Sequence, residues 1–150
     1  MNYRIVNLRD LPYKILSFAE ERNKVLDSLE DQEYVLWKSE DEELTSMLLQ
    51  YIERLPPQQP YYAIRRINLY DGKYKEAANP DYSPHLVSNR VRYSGAVHEQ
   101  VQPRNPHGRI DFPIIHNHVG MWKYRSGWKQ TRAYLPFLAL KRGYQVARNG

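Results

Sequence analysis

The stretch YVLWKSEDEEL, residues 34–44, places an unbroken apolar run two residues before a cluster of four acidic residues. The run 34–37 has no polar alternation, which is typical of a short strand buried on both faces. Residues 44–55 have apolar side chains at a three-four spacing, which predicts an amphipathic helix. Acidic side chains suit the positive amino-terminal end of a helix. We therefore predict a buried strand, an acidic turn, and a helix that begins in the acidic cluster.

Strand and helix patterns also occur on both sides of this stretch. Ser17 and Glu20 have the spacing of a capping box, which predicts that a helix starts there. Asp71-Gly72 predicts a tight turn, and Asn79-Pro80 predicts the start of a loop. The further predicted elements are strands over 3–8, 61–70, 91–97 and 109–116, a helix over 18–29, and a basic helix over 122–142. The pattern is that of an α/β or α+β chain, and 150 residues predict one domain, 1–150.

The composition is that of a folded, basic protein. Hydrophobic residues make up 41% and charged residues 26%, and the net charge is +5, so anionic partners are favoured. The 13 tyrosines suit a binding groove or a Tyr-rich core. With no cysteine, a disulfide framework and a thiolate metal site are excluded, which agrees with a cytoplasmic location. The longest apolar stretch, 133–140, is too short to cross a bilayer, which takes about 20 residues.

Five short motifs follow one another along the chain. They are FAEERNKVL at 18–26, SEDEEL at 39–44, IRRINLYDGK at 64–73, RYSGAVHE at 92–99 and IIH at 114–116. In this order they resemble the FA..RN..L helix, the D-x-D-E motif, the Arg-rich strand with its Gly turn, the Y.G.VHE element and the closing His of family 2 glycosyltransferases. The resemblance extends over residues 15–142. It implies a GT-A-like mixed sheet flanked by helices, with a basic helix at the carboxyl terminus.

A glycosyltransferase of this type moves a sugar from a nucleotide-sugar donor to an acceptor, and a divalent cation, Mn²⁺ or Mg²⁺, stabilises the leaving diphosphate. By resemblance Asp41 is the metal ligand, because it matches the second Asp of the motif. Ser39 stands where the family has the first Asp, and Glu40 is the candidate to replace that missing carboxylate at the donor. His116 or His118 resembles the late histidine that completes the metal or diphosphate site. The competing interpretation is that residues 40–43 only stabilise a helix end.

The resemblance also implies an acceptor-side general base. Glu99 is the candidate for this role, and His98 is the candidate to orient it or to contact a phosphate. A structural His–Glu pair is the alternative interpretation of these two residues.

Three further residues are candidates for donor binding. Arg22 and Asn23 match the RN pair beside the nucleotide-sugar cleft of the family, and their alternative role is a structural network that fastens the helix to the acidic loop. Arg66 is a candidate phosphate or acceptor ligand. Strand alternation allows only one of Arg65 and Arg66 to point inward.

The chain departs from the family at its start, because the segment that holds the base and the ribose does not precede Met1. The resemblance therefore implies a reduced donor site, a split enzyme with a partner chain, or a degenerate remnant. Self-association is expected, since a sheet without its first strands exposes an edge. The acceptor classes are a saccharide, a lipid-linked glycan or a protein, and the basic helix could contact a membrane surface.

Two alternatives to an enzyme stay open. One is a non-catalytic, glycosyltransferase-like binding module. The other is a basic nucleic-acid-binding protein, suggested by the interleaved Tyr and Arg residues of 61–66 and 90–93. No nucleic-acid motif accompanies that pattern, so nucleic acid is the least favoured partner.

Overall fold

The computed structural model of the chain describes residues 1–11, 18–76, 79, 81–95 and 100–118. Within these ranges the chain is an α+β structure, with a mixed sheet and two α-helices. Ser17 of the expected capping box, His98, Glu99 and the basic helix expected at 122–142 lie outside the described residues. Neither described α-helix is long and apolar enough to cross a membrane.

The elements of the described residues are, in chain order, β1 Asn2–Asn7, a 3-10 turn Leu8–Asp10, α1 Phe18–Asp27, β2 Glu33–Lys38, β3 Glu42–Leu44, α2 Ser46–Arg54, β4 Tyr61–Tyr70, β5 Lys73–Tyr74, β6 Asp81–Ser88, β7 Arg92–Ser94, β8 Gln100–Gln102 and β9 Gly108–His118. The main sheet has the strand order β1-β2-β6-β4-β9-β3, and β5 forms a hairpin with β4. The pairs β1–β2 and β4–β9 are parallel, and the other pairs of this sheet are antiparallel. The strands β7 and β8 form a separate small sheet.

Two apolar cores lie on opposite faces of the main sheet. On one face, α1 and the β7–β8 pair cover a core that includes Leu26, Val35, Trp37, Tyr61, Val87 and Tyr93. On the other face, α2 covers a core that includes Tyr34, Leu36, Leu48, Ile52, Tyr62, Ile64 and Ile114. Successive residues of β2 alternate between the two cores, and all four residues of 34–37 are buried. The prediction of a strand buried on both faces is confirmed.

The prediction that α2 begins in the acidic cluster is wrong. Residues 42–44 form β3, which pairs antiparallel with β9 and brings Glu42 opposite His116. The helix starts at Ser46, after Thr45, whose hydroxyl accepts a hydrogen bond from the amide of Leu48 at 3.2 Å. A Thr N-cap supplies this acceptor directly, so the acidic residues are not used to cap the helix. They lie instead in the turn 39–41 and in β3.

The strand β6 was not predicted, because Asn79-Pro80 indicated the start of a loop. It lies between β2 and β4, in the middle of the sheet. The pairing of β4 with β6 shifts register between Tyr62 and Ala63, so that His85 and Pro84 occupy a β-bulge. A bulge interrupts the hydrogen-bonded ladder, and this is where a strand tolerates proline. The bulge also directs the His85 side chain toward Glu42, as described below.

Candidate functional site

The turn 39–41 joins β2 to β3 and fixes the position of Asp41. The hydroxyl of Ser39 donates a hydrogen bond to Asp41 Oδ1 at 2.8 Å, and the amide of Asn117 on β9 donates to the carbonyl of Asp41 at 2.7 Å. The side chain of Asp41 is 46% exposed, so one edge of its carboxylate is open to solvent. Ser39, which replaces the first acidic residue of the expected motif, therefore orients the second one.

Asp41 and His116, two residues that the resemblance assigns to a metal site, lie in direct contact. His116 Nε2 lies 2.9 Å from Asp41 Oδ2, and the imidazole is mostly buried. Burial alone would raise the pKa of Asp41, but the hydrogen bonds from His116 and Ser39 outweigh it and hold this pKa below its ordinary value. The carboxylate is therefore ionised at neutral pH.

A second imidazole joins the pair through Asn68. Asn68 Oδ1 accepts hydrogen bonds from His116 Nδ1 at 2.9 Å and from His118 Nε2 at 3.0 Å. His118 also stacks on Tyr70, with ring centroids 4.3 Å apart and planes 8° apart. Burial, then the neighbouring His116, lowers the pKa of His118 to about 4, so His118 is neutral at neutral pH.

The tautomer of His116 follows from its bond to Asn68. The amide oxygen of Asn68 accepts only, so Nδ1 of His116 carries a hydrogen. A neutral His116 then directs the lone pair of Nε2 toward the ionised Asp41 carboxylate, 2.9 Å away. Two hydrogen-bond acceptors, here Nε2 of His116 and Oδ2 of Asp41, repel each other at 2.9 Å unless a proton or a metal cation lies between them.

A buried network of charged side chains lies beside this pair. Glu42 Oε1 accepts a hydrogen bond from the amide of Ser39 at 2.8 Å, and Oε2 lies 2.8 Å from His85 Nε2 and 3.7 Å from Arg66 Nη1. Arg66 also donates from Nε to Asp81 at 3.0 Å. Burial would raise the pKa of Glu42, but the hydrogen bond and the charge of His85 outweigh it and hold this pKa far below its ordinary value. The network fixes the turn 39–41 to β4 and β6.

Arg66 and Glu40, two of the residues predicted to bind the nucleotide-sugar donor, both form ion pairs with other side chains of the protein. The Arg66 guanidinium contacts Glu42 and Asp81, while Glu40 accepts a hydrogen bond from Arg9 Nη1 at 3.0 Å. Glu40 is largely exposed, and within the described residues it makes no hydrogen bond or ion pair with Asp41 or His116. Their predicted roles at a donor remain predictions.

Arg22 and Asn23 contact β7 and β2 rather than the acidic turn. The Arg22 guanidinium lies 5.0 Å from the ring centroids of both Trp37 and Tyr93. The Asn23 side chain donates to the carbonyl of Tyr93 at 3.0 Å and accepts from its amide at 2.8 Å. These contacts lie on the α1 face, whereas strand alternation places Asn68 and His116 on the α2 face. A donor ligand that contacts both groups has to extend around the end of β2.

We expect Asn23→Ala to lower the free energy of unfolding by about 1–3 kcal/mol, because it removes both hydrogen bonds between the Asn23 side chain and the backbone of Tyr93. Urea unfolding without nucleotide measures this change. Asn23→Asp keeps the acceptor but places a carboxylate oxygen against the carbonyl of Tyr93, so it should be destabilised as well. An unchanged stability in Asn23→Ala would contradict the structural role of this side chain.

Two members of the site were not identified from the sequence. Asn68 follows Arg66 by two positions on β4, so alternation could have placed it on the same face. Its contact with His116 depends on the parallel β4–β9 register, which pairs these two residues and which no local pattern shows. His85 reaches Glu42 only because of the bulge in β6. The structure therefore assembles the site from distant segments of the chain.

No group of three His, Asp or Glu side chains in the described part of the chain is arranged to hold a metal ion by itself. A cation at Asp41 and His116 would need further ligands from a bound molecule or from water. A comparison of the sequence with models of known protein families and with curated proteins finds no match.

Proposed function

We propose that this chain is a metal-dependent, GT-A-like glycosyltransferase domain that transfers a sugar from a nucleotide-sugar donor to a saccharide, lipid-linked or protein acceptor. The observation that carries the proposal is the Asp41–His116 pair in the turn after β2, with its two partners Ser39 and Asn68. The motif resemblance supplies the reaction class. The pair supports the proposal because it offers a carboxylate and an imidazole as ligands for the divalent cation that this reaction class uses.

The residues present fit a divalent cation, and they fit Mn²⁺ better than Mg²⁺, because Mg²⁺ prefers oxygen ligands over an imidazole. Asp41 offers an ionised, half-exposed carboxylate, which is the ligand that a hard cation prefers. His116 donates its Nδ1 hydrogen to Asn68, which is the usual orientation of a metal-ligating imidazole. Its Nε2 shares a proton with Asp41 in the absence of a metal, and a cation would bind there by displacing that proton. Since two protein ligands leave most coordination positions open, phosphate oxygens of a donor would complete the set. When bound there, the cation would supply positive charge to the leaving diphosphate.

The other side chains of the site position these two groups. Ser39 holds one oxygen of Asp41, and Glu42 holds the amide of Ser39, so the turn has one defined conformation. His118 is neutral and shares Asn68 with His116, so it adds no charge that would repel a cation. Removal of the acceptor proton is assigned by resemblance to Glu99, with His98 beside it, and this assignment remains part of the proposal.

Calorimetric titration of the full chain with UDP and GDP, with and without Mn²⁺, tests the proposal. We expect binding of one nucleotide that requires Mn²⁺, because the diphosphate completes the coordination of the cation. Titration with Mn²⁺ alone is the control for metal binding without donor. If a folded protein binds neither nucleotide with Mn²⁺ present, this chain is not a stand-alone glycosyltransferase.

A non-catalytic binding module is the second candidate, and one observation favours it. Three of the predicted donor-binding residues, Asn23, Glu40 and Arg66, are already bonded to other protein groups. A module of this kind would bind a glycan or a protein and would release no nucleotide from a nucleotide-sugar. Incubation with UDP-sugars and GDP-sugars, followed by detection of the released nucleotide, distinguishes the two candidates.

A further inference from the structure

A cleft of about 450 Å³ opens on the α1 face of the sheet, at the start of β4. Ala63 and Pro84, which pair across β4 and β6, contribute to its lining together with Val101 on β8. A volume of this size lies within the range of about 300–1,000 Å³ that small-molecule sites occupy. The cleft shares no lining residue with the Asp41–His116 site, so a ligand of the cleft would be a different one.

The cleft and the Asp41–His116 site lie on opposite faces of the sheet. On β6, Tyr82 lines the cleft, while its neighbour Asp81 points the other way and binds Arg66. On β4, Tyr61 lines the cleft, and Asn68 is seven positions further along the strand, about 23 Å at 3.3 Å per residue. A molecule bound in the cleft is therefore separate from one that reacts at Asp41.

Three aromatic rings of the cleft are held in place by contacts within the protein. Tyr61 stacks on His107, with ring centroids 4.9 Å apart and planes 9° apart, and its hydroxyl donates to the carbonyl of Arg104 at 2.6 Å. The hydroxyl of Tyr82 donates to Asp111 at 2.7 Å, and the Arg109 guanidinium lies 4.3 Å from the ring centroid of Tyr82. Since the rings are fixed before a ligand arrives, little ordering entropy would be lost on binding.

Polar side chains are available around these rings. The Gln100 amide and the Arg104 guanidinium have no hydrogen-bonding partner among the described residues, and both line the cleft. The Asn105 amide also lines it, with its oxygen 3.2 Å from His107 Nδ1. Amide groups both donate and accept, which matches the hydroxyl groups of a sugar. A single guanidinium matches one planar carboxylate, because it can form two parallel hydrogen bonds with it.

We propose that this cleft binds an acidic saccharide, with the sugar ring against Tyr82, its hydroxyl groups at Gln100 and Asn105, and its carboxylate at Arg104. A phosphate would carry more charge than the one unpaired guanidinium of the lining can balance. The site is a binding site and performs no chemistry on the sugar. It does not depend on the proposed glycosyl transfer, so either proposal can fail without the other.

The test is a titration of the full chain with D-glucuronic acid, in which binding is monitored by the amide chemical shifts in NMR spectra. We expect saturable shifts around Gln100 and Tyr82, and affinity reduced by about tenfold in Arg104→Ala through the loss of the charged hydrogen bonds. Gln100→Ala is the second variant, with a smaller loss expected. Arg54→Ala is the matched control, since Arg54 is an exposed arginine of α2 on the other face. Asp41→Ala should bind the sugar as the wild type does.

Several results would overturn the proposal. They are the absence of saturable shifts, equal affinity for D-glucose, tighter binding of inorganic phosphate or of a single-stranded oligonucleotide, and unchanged affinity in Arg104→Ala. Loss of sugar binding in Arg54→Ala as well would count equally against a site at Arg104.

Discussion

Replacing Asp41 by Asn is expected to weaken Mn²⁺ binding by about 100-fold or more and to abolish Mn²⁺-dependent nucleotide binding. The substitution keeps the shape of the side chain and an oxygen that can accept from Ser39, but it removes the negative charge beside His116 Nε2. Substitutions of residues that only support a metal ligand already cost about 10–100-fold in affinity, so the loss of a ligand should cost at least as much. Electron paramagnetic resonance of free Mn²⁺ measures the affinity directly.

Asp111→Asn is the matched control for this experiment. Asp111 lies on β9, the strand that carries His116, but its carboxylate is exposed and bonds to Tyr82 and Arg109. We expect its Mn²⁺ affinity to equal that of the wild type. Equal affinities in Asp41→Asn and the wild type would show that the metal does not bind at Asp41. Equal losses in both variants would indicate a nonspecific effect of net charge.

The parts of the fold that were predicted from the sequence are those with a strong local pattern. The run 34–37 is apolar at every position and forms a strand that is buried on both faces. The strand predicted at 61–70 has these bounds in the structure, and the helix predicted at 18–29 spans 18–27. In each case burial and local propensity favour the same element, so the local sequence pattern was sufficient to predict it.

The parts that were missed depend on contacts between distant segments. Residues 42–44 have no strand pattern of their own and become β3 only because β9 offers an edge for pairing. The proline of β6 favours a loop locally, but the bulge at 84–85 accommodates it between β2 and β4. The pairing of Asp41 with His116 was inferred from a family resemblance, whereas Asn68 and His85 needed the strand register itself. Non-local pairing is the information that a single sequence carries least clearly.

Replacing Glu42 by Ala is expected to lower the free energy of unfolding by about 3–5 kcal/mol, the usual effect of removing one partner from a buried ion pair. The Glu42 side chain is only 2% exposed, and its loss leaves His85 and the Ser39 amide without their acceptors. Glu43→Ala is the matched control, because Glu43 is the next residue of β3 and is exposed. Urea unfolding of both variants at neutral pH measures the difference, and equal stabilities would contradict a structural role for the Glu42 network.

The same network predicts how stability depends on pH. The hydrogen bond and charge of His85, which outweigh burial, hold the pKa of folded Glu42 far below its ordinary value of 4.5, so the folded state releases this proton more readily than the unfolded chain does. The stabilisation is therefore fully present above pH 4.5 and is lost progressively as the pH falls below it. Glu42→Gln lacks the titrating group, so the stability difference between wild type and Glu42→Gln should be largest near about pH 7 and should shrink toward about pH 3. A difference that stays constant over this range would mean that the charge of Glu42 does not stabilise the fold, and that the turn carrying Asp41 is held by hydrogen bonds alone.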